Sequence, residues 1–242
     1  MIVTVIQARM GSSRLPGKVL KDINGRTMLA RVVRRASRST LVNKVIVATT
    51  TAPRDKAIID ECDSLGVPSF CGSEQDVLDR YYRAAKLFYA EAVVRITSDC
   101  PLVDPEIIDQ VIQAFRKDGA DYASNTIVGT YPRGLDVEVF TFSALEKAWR
   151  EARETYQRVH VTPYFYQNPE LFRLVPVTGA EDNSNYRWTV DTEEDLDLVR
   201  TVYARMNRDD SFSWRDVLNL MKIEPELADI NRHIQQKSLE EC

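Results

Sequence analysis

The chain opens Met1-Ile-Val-Thr-Val-Ile6 and runs directly into Gln7-Ala-Arg-Met-Gly11-Ser12-Ser13-Arg14-Leu15-Pro16-Gly17-Lys18. A short, uniformly apolar and β-branched run that ends in a turn-forming stretch predicts a strand buried on both faces. Further runs of this kind recur at residues 45–49 and 92–96, and less strongly at 67–71 and 121–124. Between them lie apolar stripes at helical spacing. Met28, Leu29, Val32, Val33 and Ala36 form one stripe, and Ala57, Ile58, Ile59, Cys62 and Leu65, opened by Pro53, form another. Val77, Leu78, Tyr81, Tyr82, Ala84, Ala85 and Phe88 make a third, and Pro105 stands at a first helical turn ahead of Ile107, Ile108, Val111, Ile112 and Phe115. The alternation predicts an α/β fold: a Rossmann-like, doubly wound, mostly parallel sheet with helices on both faces.

After Asp118 the alternation weakens. A strand or hairpin is expected within 133–141, and helices at 143–152, 156–166, 193–206 and 214–236. No low-complexity linker divides the chain, which predicts a single domain over 1–242. Residues 125–190 would supply a substrate-side subregion and 212–242 a helical extension with no assigned role.

Composition narrows the function. The 242 residues carry 32 Lys+Arg against 36 Asp+Glu, a net charge of −4, which argues against a general nucleic-acid surface. Apolar residues at 44% supply a core, yet no stretch approaches the roughly 20 apolar residues of a membrane span. The opening run is too short for a secretory signal and has no basic segment before it, so a cytoplasmic location is expected. Cys62, Cys71, Cys100 and Cys242 show none of the paired spacings of a metal or redox site and are expected to be reduced. Arg31, Arg34, Arg35 and Arg38 share one helical face, which reads as a solvated flank.

The loop after the first strand carries chemistry. Gly11 and Gly17 permit close backbone approach, Ser12 and Ser13 add small donors, and Arg14 and Lys18 bring positive charge. That set suits a polyphosphate, at the sheet edge where open α/β sheets bind ligands. The loop has neither the Walker spacing nor G-x-G-x-x-G, which disfavours a P-loop kinase or a nicotinamide enzyme.

The string from Ile6 to Lys18 closely resembles the signature of the sugar cytidylyltransferases, in the branch named for a spore coat polysaccharide biosynthesis protein. That branch is similar to the 3-deoxy-manno-octulosonate and acylneuraminate cytidylyltransferases. The resemblance continues through Gly72-Ser-Glu-Gln-Asp-Val-Leu-Asp-Arg-Tyr81, Arg95-Ile-Thr-Ser-Asp-Cys-Pro-Leu-Val-Asp-Pro105 and Pro132-Arg-Gly-Leu-Asp-Val-Glu138. It then takes in His160-Val-Thr-Pro163 and Arg187-Trp-Thr-Val-Asp-Thr-Glu-Glu-Asp-Leu196, nearly the whole chain up to about Val199.

The resemblance implies a Mg²⁺-dependent enzyme in which an acceptor oxygen attacks the α-phosphorus of CTP and pyrophosphate leaves. Asp99 and Asp191 would hold the metal, although Asp191 also reads as part of a helix cap with Thr192. Arg14 and Lys18 would take the β- and γ-phosphates. Gln7, Ala8, Arg9, Gly11, Ser12, Ser13 and Thr97 are the further nucleotide-side candidates, with Ser73 and Arg80 on the pyrimidine side. Arg80 has a rival role, pairing with Asp76 one helical turn away. Arg133, Asp136, Glu138, His160 and Arg187 are candidates for the acceptor, an acid sugar or related small molecule. His160 would orient an anionic acceptor or assist proton removal, or else bond backbone at a helix start; where the family carries an acidic residue before this histidine, this chain has Val159. Asp104 and Asp109 read as a helix start and a solvated side chain, and Cys100 as a small buried filler beside Asp99. A homodimer is expected by analogy. A nucleotidyltransferase using another base or a phosphorylated acceptor, and a non-catalytic nucleotide-binding module, are the alternatives.

Overall fold

A computed structural model describes residues 1–207 and 209–236. Cys242 lies outside the described residues, as does the end of the expected helical extension. Among the described residues seven strands form one sheet: β1 (Ile2–Gln7), β2 (Lys44–Thr50), β3 (Ser69–Gly72), β4 (Ala92–Thr97), β5 (Tyr122–Ser124), β6 (Glu138–Thr141) and β7 (Leu174–Pro176). Their order is β3-β2-β1-β4-β6-β5-β7. The β1–β2, β1–β4, β2–β3 and β5–β7 pairs are parallel, and β6 runs antiparallel to both β4 and β5. The expected Rossmann-like, mostly parallel sheet is therefore present, with the order reversing between β1 and β4. In open α/β sheets the crevice lies beyond the carboxyl ends of the strands at such a switch, and Gln7 and Thr97 are register partners at those ends of β1 and β4.

Nine α-helices connect and flank these strands among the described residues: α1 (Met28–Ala36), α2 (Lys56–Leu65), α3 (Val77–Leu87), α4 (Pro105–Lys117), α5 (Phe142–Glu151), α6 (Thr155–His160), α7 (Pro163–Gln167), α8 (Glu193–Arg205) and α9 (Trp214–Ile223). The apolar stripes of α1, α2, α4, α8 and α9 pack into one core, which includes Ile6, Val47, Val94 and Ile96 from the sheet. Those of α3, α5 and α7 pack into a second, with Val3, Val5, Val93 and Phe140. Successive strand residues thus feed opposite cores, which is why the strands read as continuous apolar runs. No helix among the described residues is long and apolar enough to cross a membrane. Cys62, Cys71 and Cys100 are unbridged.

Several expectations are corrected. The basic stripe on α1 is no solvated flank, because Arg31 and Arg35 are fully buried. Arg31 Nη1 pairs with Asp210 Oδ1 at 3.0 Å, and Arg35 donates to the carbonyls of Val103, Asp210 and Phe212. Asp109 is not simply solvated either: it accepts from the backbone N–H groups of Thr40 and Leu41 and both neighbouring hydroxyls, Ser39 and Thr40, tying α4 to the turn before β2. The single helix expected at 156–166 breaks at Val161, whose φ of 73° cannot continue a right-handed helix, and Pro163 starts the next one. The helix expected at 214–236 stops at Ile223, ahead of Pro225.

Residues 188–190 form no strand; an isolated parallel bridge joins Arg133 to Arg187 just before them. Close approach at Gly134 sets this crossing. Its φ is 108°, and a Cβ there would stand 2.5 Å from the Thr189 nitrogen and 2.6 Å from the Trp188 carbonyl carbon. Gly134→Ala must therefore push away the segment that carries Asp191. A loss of about 1–3 kcal/mol in thermal unfolding is expected, and an unchanged melting temperature would refute the assignment.

Candidate active site

The loop after β1 is built by its own backbone and by one buried carboxylate. Gly17 sits at φ 70° ahead of a short 3₁₀ turn, Lys18–Leu20, and its N–H donates to the Met10 carbonyl at 3.0 Å. Asp55, fully buried, accepts from the Met10 N–H at 2.8 Å and from the Thr50 hydroxyl, so the end of β2 fixes the loop. Arg54 and Glu74 pair across Gly11, where a Cβ would come within 2.8 Å of Arg54 Nη2.

This folding sends the Lys18 side chain into the sheet edge, where its residue is only 8% exposed. Its Nζ lies 2.9 Å from Asp99 Oδ2, 2.9 Å from Asp191 Oδ1 and 2.7 Å from the Val190 carbonyl oxygen. Arg14 Nη2 stands 2.8 Å from Asp191 Oδ2, and Arg187 Nη2 donates to the same oxygen at 2.8 Å. Arg14, Lys18, Asp99 and Asp191, up to 177 positions apart in the chain, are thus brought to one point. The join is made by backbone as well: Val190 N–H and Thr189 Oγ1 both donate to the Asp99 carbonyl. Thr192 caps α8 while the Asp191 carboxylate faces the cations, so the capping and site readings of this motif coexist.

Electrostatics follow from this packing. Burial alone would push the Asp99 carboxyl up, but Lys18 beside it, with the Thr97 hydroxyl, holds it at about 2. Burial likewise works against the Lys18 ammonium, and the Asp99 and Asp191 carboxylates overcome it and raise its pKa. Asp136 has its carboxyl raised by burial, with the Glu138 and Asp99 charges adding to the effect and Arg133 opposing it.

The remaining candidates divide into groups. Gln7, Gly11, Ser12 and Arg14 are half-buried around the loop, Ala8 is buried, and Arg9 and Ser13 are exposed. Ser73 opens the turn before α3, its hydroxyl accepting from the Asp76 N–H. The rival role given to Arg80 is overturned, since Asp76 caps α3 and pairs with Arg158. Arg80 is instead buried, donating to the Ser73 carbonyl, and its Nε has no hydrogen-bond partner. Gln7 Oε1 is a second buried atom without a partner at this edge. Glu138 is buried, pairing with Arg95 and accepting from the Tyr122 hydroxyl at 2.6 Å. Asp136 is half-buried and Arg133 exposed. His160 ends α6 rather than starting a helix, and is half-buried. Cys100 is buried, with its sulfur 3.2 Å from Thr97 Oγ1.

Sequence reasoning passed over Asp55, Arg95 and Asp195. Asp195, fully buried, receives Arg187 Nε at 2.9 Å and Nη2 at 3.1 Å, and so orients the guanidinium that meets Asp191. No periodic signal marks such residues, because their partners are tertiary. A cavity of about 300 Å³ lined by Arg133, Arg187, Trp188 and Asn231 lies between the 184–188 segment and the C-terminal residues; Lys18, Asp99 and Asp191 do not line it.

Two carboxylates and a carbonyl oxygen around one cation are hard oxygen donors. Among the described residues no three His, Cys, Asp or Glu side chains form a self-contained metal cage. The donor set therefore fits a cation such as Mg²⁺, which accepts one or two carboxylates and completes its shell with water and substrate phosphates.

Comparison with known proteins identifies the family. The spore coat polysaccharide biosynthesis protein SpsF of Bacillus subtilis is 33% identical over 94% of this chain and 96% of its own length. The 3-deoxy-manno-octulosonate cytidylyltransferase of Chloroherpeton thalassium is 35% identical over 84% of this chain and 98% of its own. Among solved structures, a cytidylyltransferase from Leptospira borgpetersenii superimposes with a TM-score of 0.91 at 33% identity, covering 98% of this chain and 99% of that one. The cytidylyltransferase family profile matches residues 3–218, which takes in the loop after β1, Asp99 and Asp191, and the chain belongs to that family of nucleotidyltransferases.

Proposed function

We propose that this protein transfers the cytidylyl group of CTP to a hydroxyl of an acid sugar or related acceptor, releasing pyrophosphate, to supply a surface polysaccharide. The observation that carries the reading is the meeting of Lys18 with Asp99 and Asp191 beside Arg14, at the crevice between β1 and β4. The names of the relatives, a polysaccharide biosynthesis protein and an acid-sugar cytidylyltransferase, support the acceptor class.

In the reaction the acceptor oxygen forms a new bond to the α-phosphorus, and the bond from that phosphorus to the bridging oxygen of the pyrophosphate breaks. Charge builds on the leaving oxygen, so fixed cations lower the barrier most. In this reading Arg14 and Lys18 take the β- and γ-phosphates, and the backbone from Gln7 to Ser13 lines the nucleotide. Arg80 and Gln7, each with a buried atom lacking a partner, face the requirements of a base edge. Asp136, whose carboxyl burial has raised, is suited to accept the acceptor's proton. Asp99 and Asp191 would hold Mg²⁺, which when bound neutralises phosphate charge and polarises the α-phosphoryl group. No protein nucleophile is required. Cytoplasmic supply of nucleotide and a homodimer belong to the same reading.

The test is pyrophosphate release with each of the four nucleoside triphosphates and Mg²⁺, against a panel of acid sugars and phosphorylated polyols. Release with CTP and an acid sugar is expected. Exclusive use of UTP or GTP would overturn the base, and exclusive use of phosphorylated polyols the acceptor class.

A further inference from the structure

The family match ends at residue 218, yet the chain beyond it returns to the site. After α9 a 3₁₀ turn, Pro225–Asp229, leads into Asn231, which is 2% exposed. Its Nδ2 donates to the Arg187 carbonyl at 2.9 Å and to Asp195 Oδ1 at 2.8 Å. One amide therefore ties together the backbone and the counter-ion of the same arginine. Asp195 in turn accepts from the Asp191 N–H at 2.9 Å, and Arg187 Nη2 holds the Asp191 carboxylate at 2.8 Å. Asp191 is thus gripped at its backbone and at its side chain by a pair whose geometry Asn231 fixes.

We infer that Asn231 is a positioning residue for the Asp191 carboxylate, so that the C-terminal segment outside the family match is part of the nucleotide and metal apparatus. The inference rests on the reading of Asp191 as a metal-holding group. Arg187 Nη2 is shared between Asp191 Oδ2 and Asp195 Oδ2, at 2.8 and 3.1 Å. Removing the Asn231 donor leaves Asp195 Oδ1 with Arg187 Nε alone and frees the Arg187 carbonyl, and the shared guanidinium is drawn off the geometry that aims Asp191. Outer partners of metal ligands commonly act at this remove, through the orientation of the ligand.

The experiment measures Mn²⁺ binding by electron paramagnetic resonance in the full chain with CTP present, alongside the Mg²⁺ concentration that half-saturates pyrophosphate release. Asn231→Ala is expected to weaken Mn²⁺ binding about 10-fold, the scale of outer-partner effects, and to raise the Mg²⁺ requirement in step. Asn231→Asp keeps the volume but removes the donor and sets a second charge against Asp195, so a larger loss is expected without a cavity. Arg232→Ala, its exposed neighbour, is expected to bind as the parent does. Unchanged Mn²⁺ affinity in Asn231→Asp, or a loss seen equally in Arg232→Ala, would overturn the inference. Absence of CTP-dependent Mn²⁺ binding in the unmodified chain would instead strike at the reading of the site itself.

Discussion

Lys18→Met is expected to lower CTP-dependent pyrophosphate release by about 10²–10³-fold, the usual cost of removing one group that meets developing charge, and to make the protein's stability newly dependent on divalent cations. The second effect is the more diagnostic. In the parent chain the ammonium is 2.9 Å from an oxygen of each aspartate, and the Lys18 side chain is 10% exposed. Methionine fills the same space without charge. Asp191 keeps Arg14 and Arg187, but Asp99 has no other ion-pair partner among the described residues. Breaking a buried pair on one side costs about 3 kcal/mol or more. Mg²⁺ or Mn²⁺ can then enter as the missing positive charge, so millimolar divalent ion should raise the melting temperature of Lys18→Met more than that of the parent.

The sign with pH can be worked out from Asp99. Its folded carboxyl is held at about 2, below the ordinary 3.8, so its stabilising contribution is present above about 3.8 and is lost as pH falls through about 2. In Lys18→Met the lysine's pull is gone and burial pushes the carboxyl up. The variant should therefore gain stability relative to the parent as pH falls from 7 into the carboxyl range. Thermal unfolding between pH 4 and 8, with and without Mg²⁺, checks both statements. A variant whose melting temperature matches the parent's at every pH and metal concentration would contradict the convergence at Lys18.

The strands around the site are legible in the sequence because burial on both faces removes polar residues from them. Residues 2–6 and 92–96 read unambiguously for that reason, and their order, with a cationic loop after the first, points to the crevice. β7 carries no such signal: Leu174–Pro176 is three residues long at the sheet edge, and its last residue is exposed. Charged residues are harder still. A carboxylate that ends a strand can be guessed to face the ligand edge, as for Asp99, whereas Asp195, and the pairing of Arg187 with Asp191, declare themselves only once the tertiary partners are known. Arg31 and Arg35 show the failure most plainly, for i, i+4 arginines look the same on a helix whether water or a carboxylate more than 170 residues away covers them.

That buried carboxylate carries the second large effect. Asp210→Ala is expected to destabilise the fold by about 3–5 kcal/mol, the range for a buried ion pair broken on one side. Arg31 loses a close carboxylate oxygen in that variant. Its Nη1 meets Asp210 Oδ1 at 3.0 Å, its side chain is 1% exposed, and the Tyr203 ring 4.2 Å from its guanidinium offers only a face. The carbonyls of Ile23 and Asn24 also accept from its guanidinium, as neutral groups that cannot replace the carboxylate's charge. Arg35 suffers less, because it bonds the Asp210 backbone carbonyl, which alanine retains, and has Asp104 Oδ2 at 3.6 Å as a second carboxylate. Arg34, with a side chain 48% exposed, can turn to water, so Arg34→Ala should cost less than about 1 kcal/mol. At about 2–4 °C per kcal/mol for a chain of this size, Asp210→Ala should melt roughly 6–20 °C below the parent. Asp210→Asn, which keeps an acceptor but no charge, should fall between the two. The loss should appear as early release of the segment that joins α8 to α9, and with it Asn231, so hydrogen exchange there ought to rise more than in β1 or β4. A melting temperature for Asp210→Ala within 2 °C of that of Arg34→Ala would mean the arginine stripe needs no buried counter-charge.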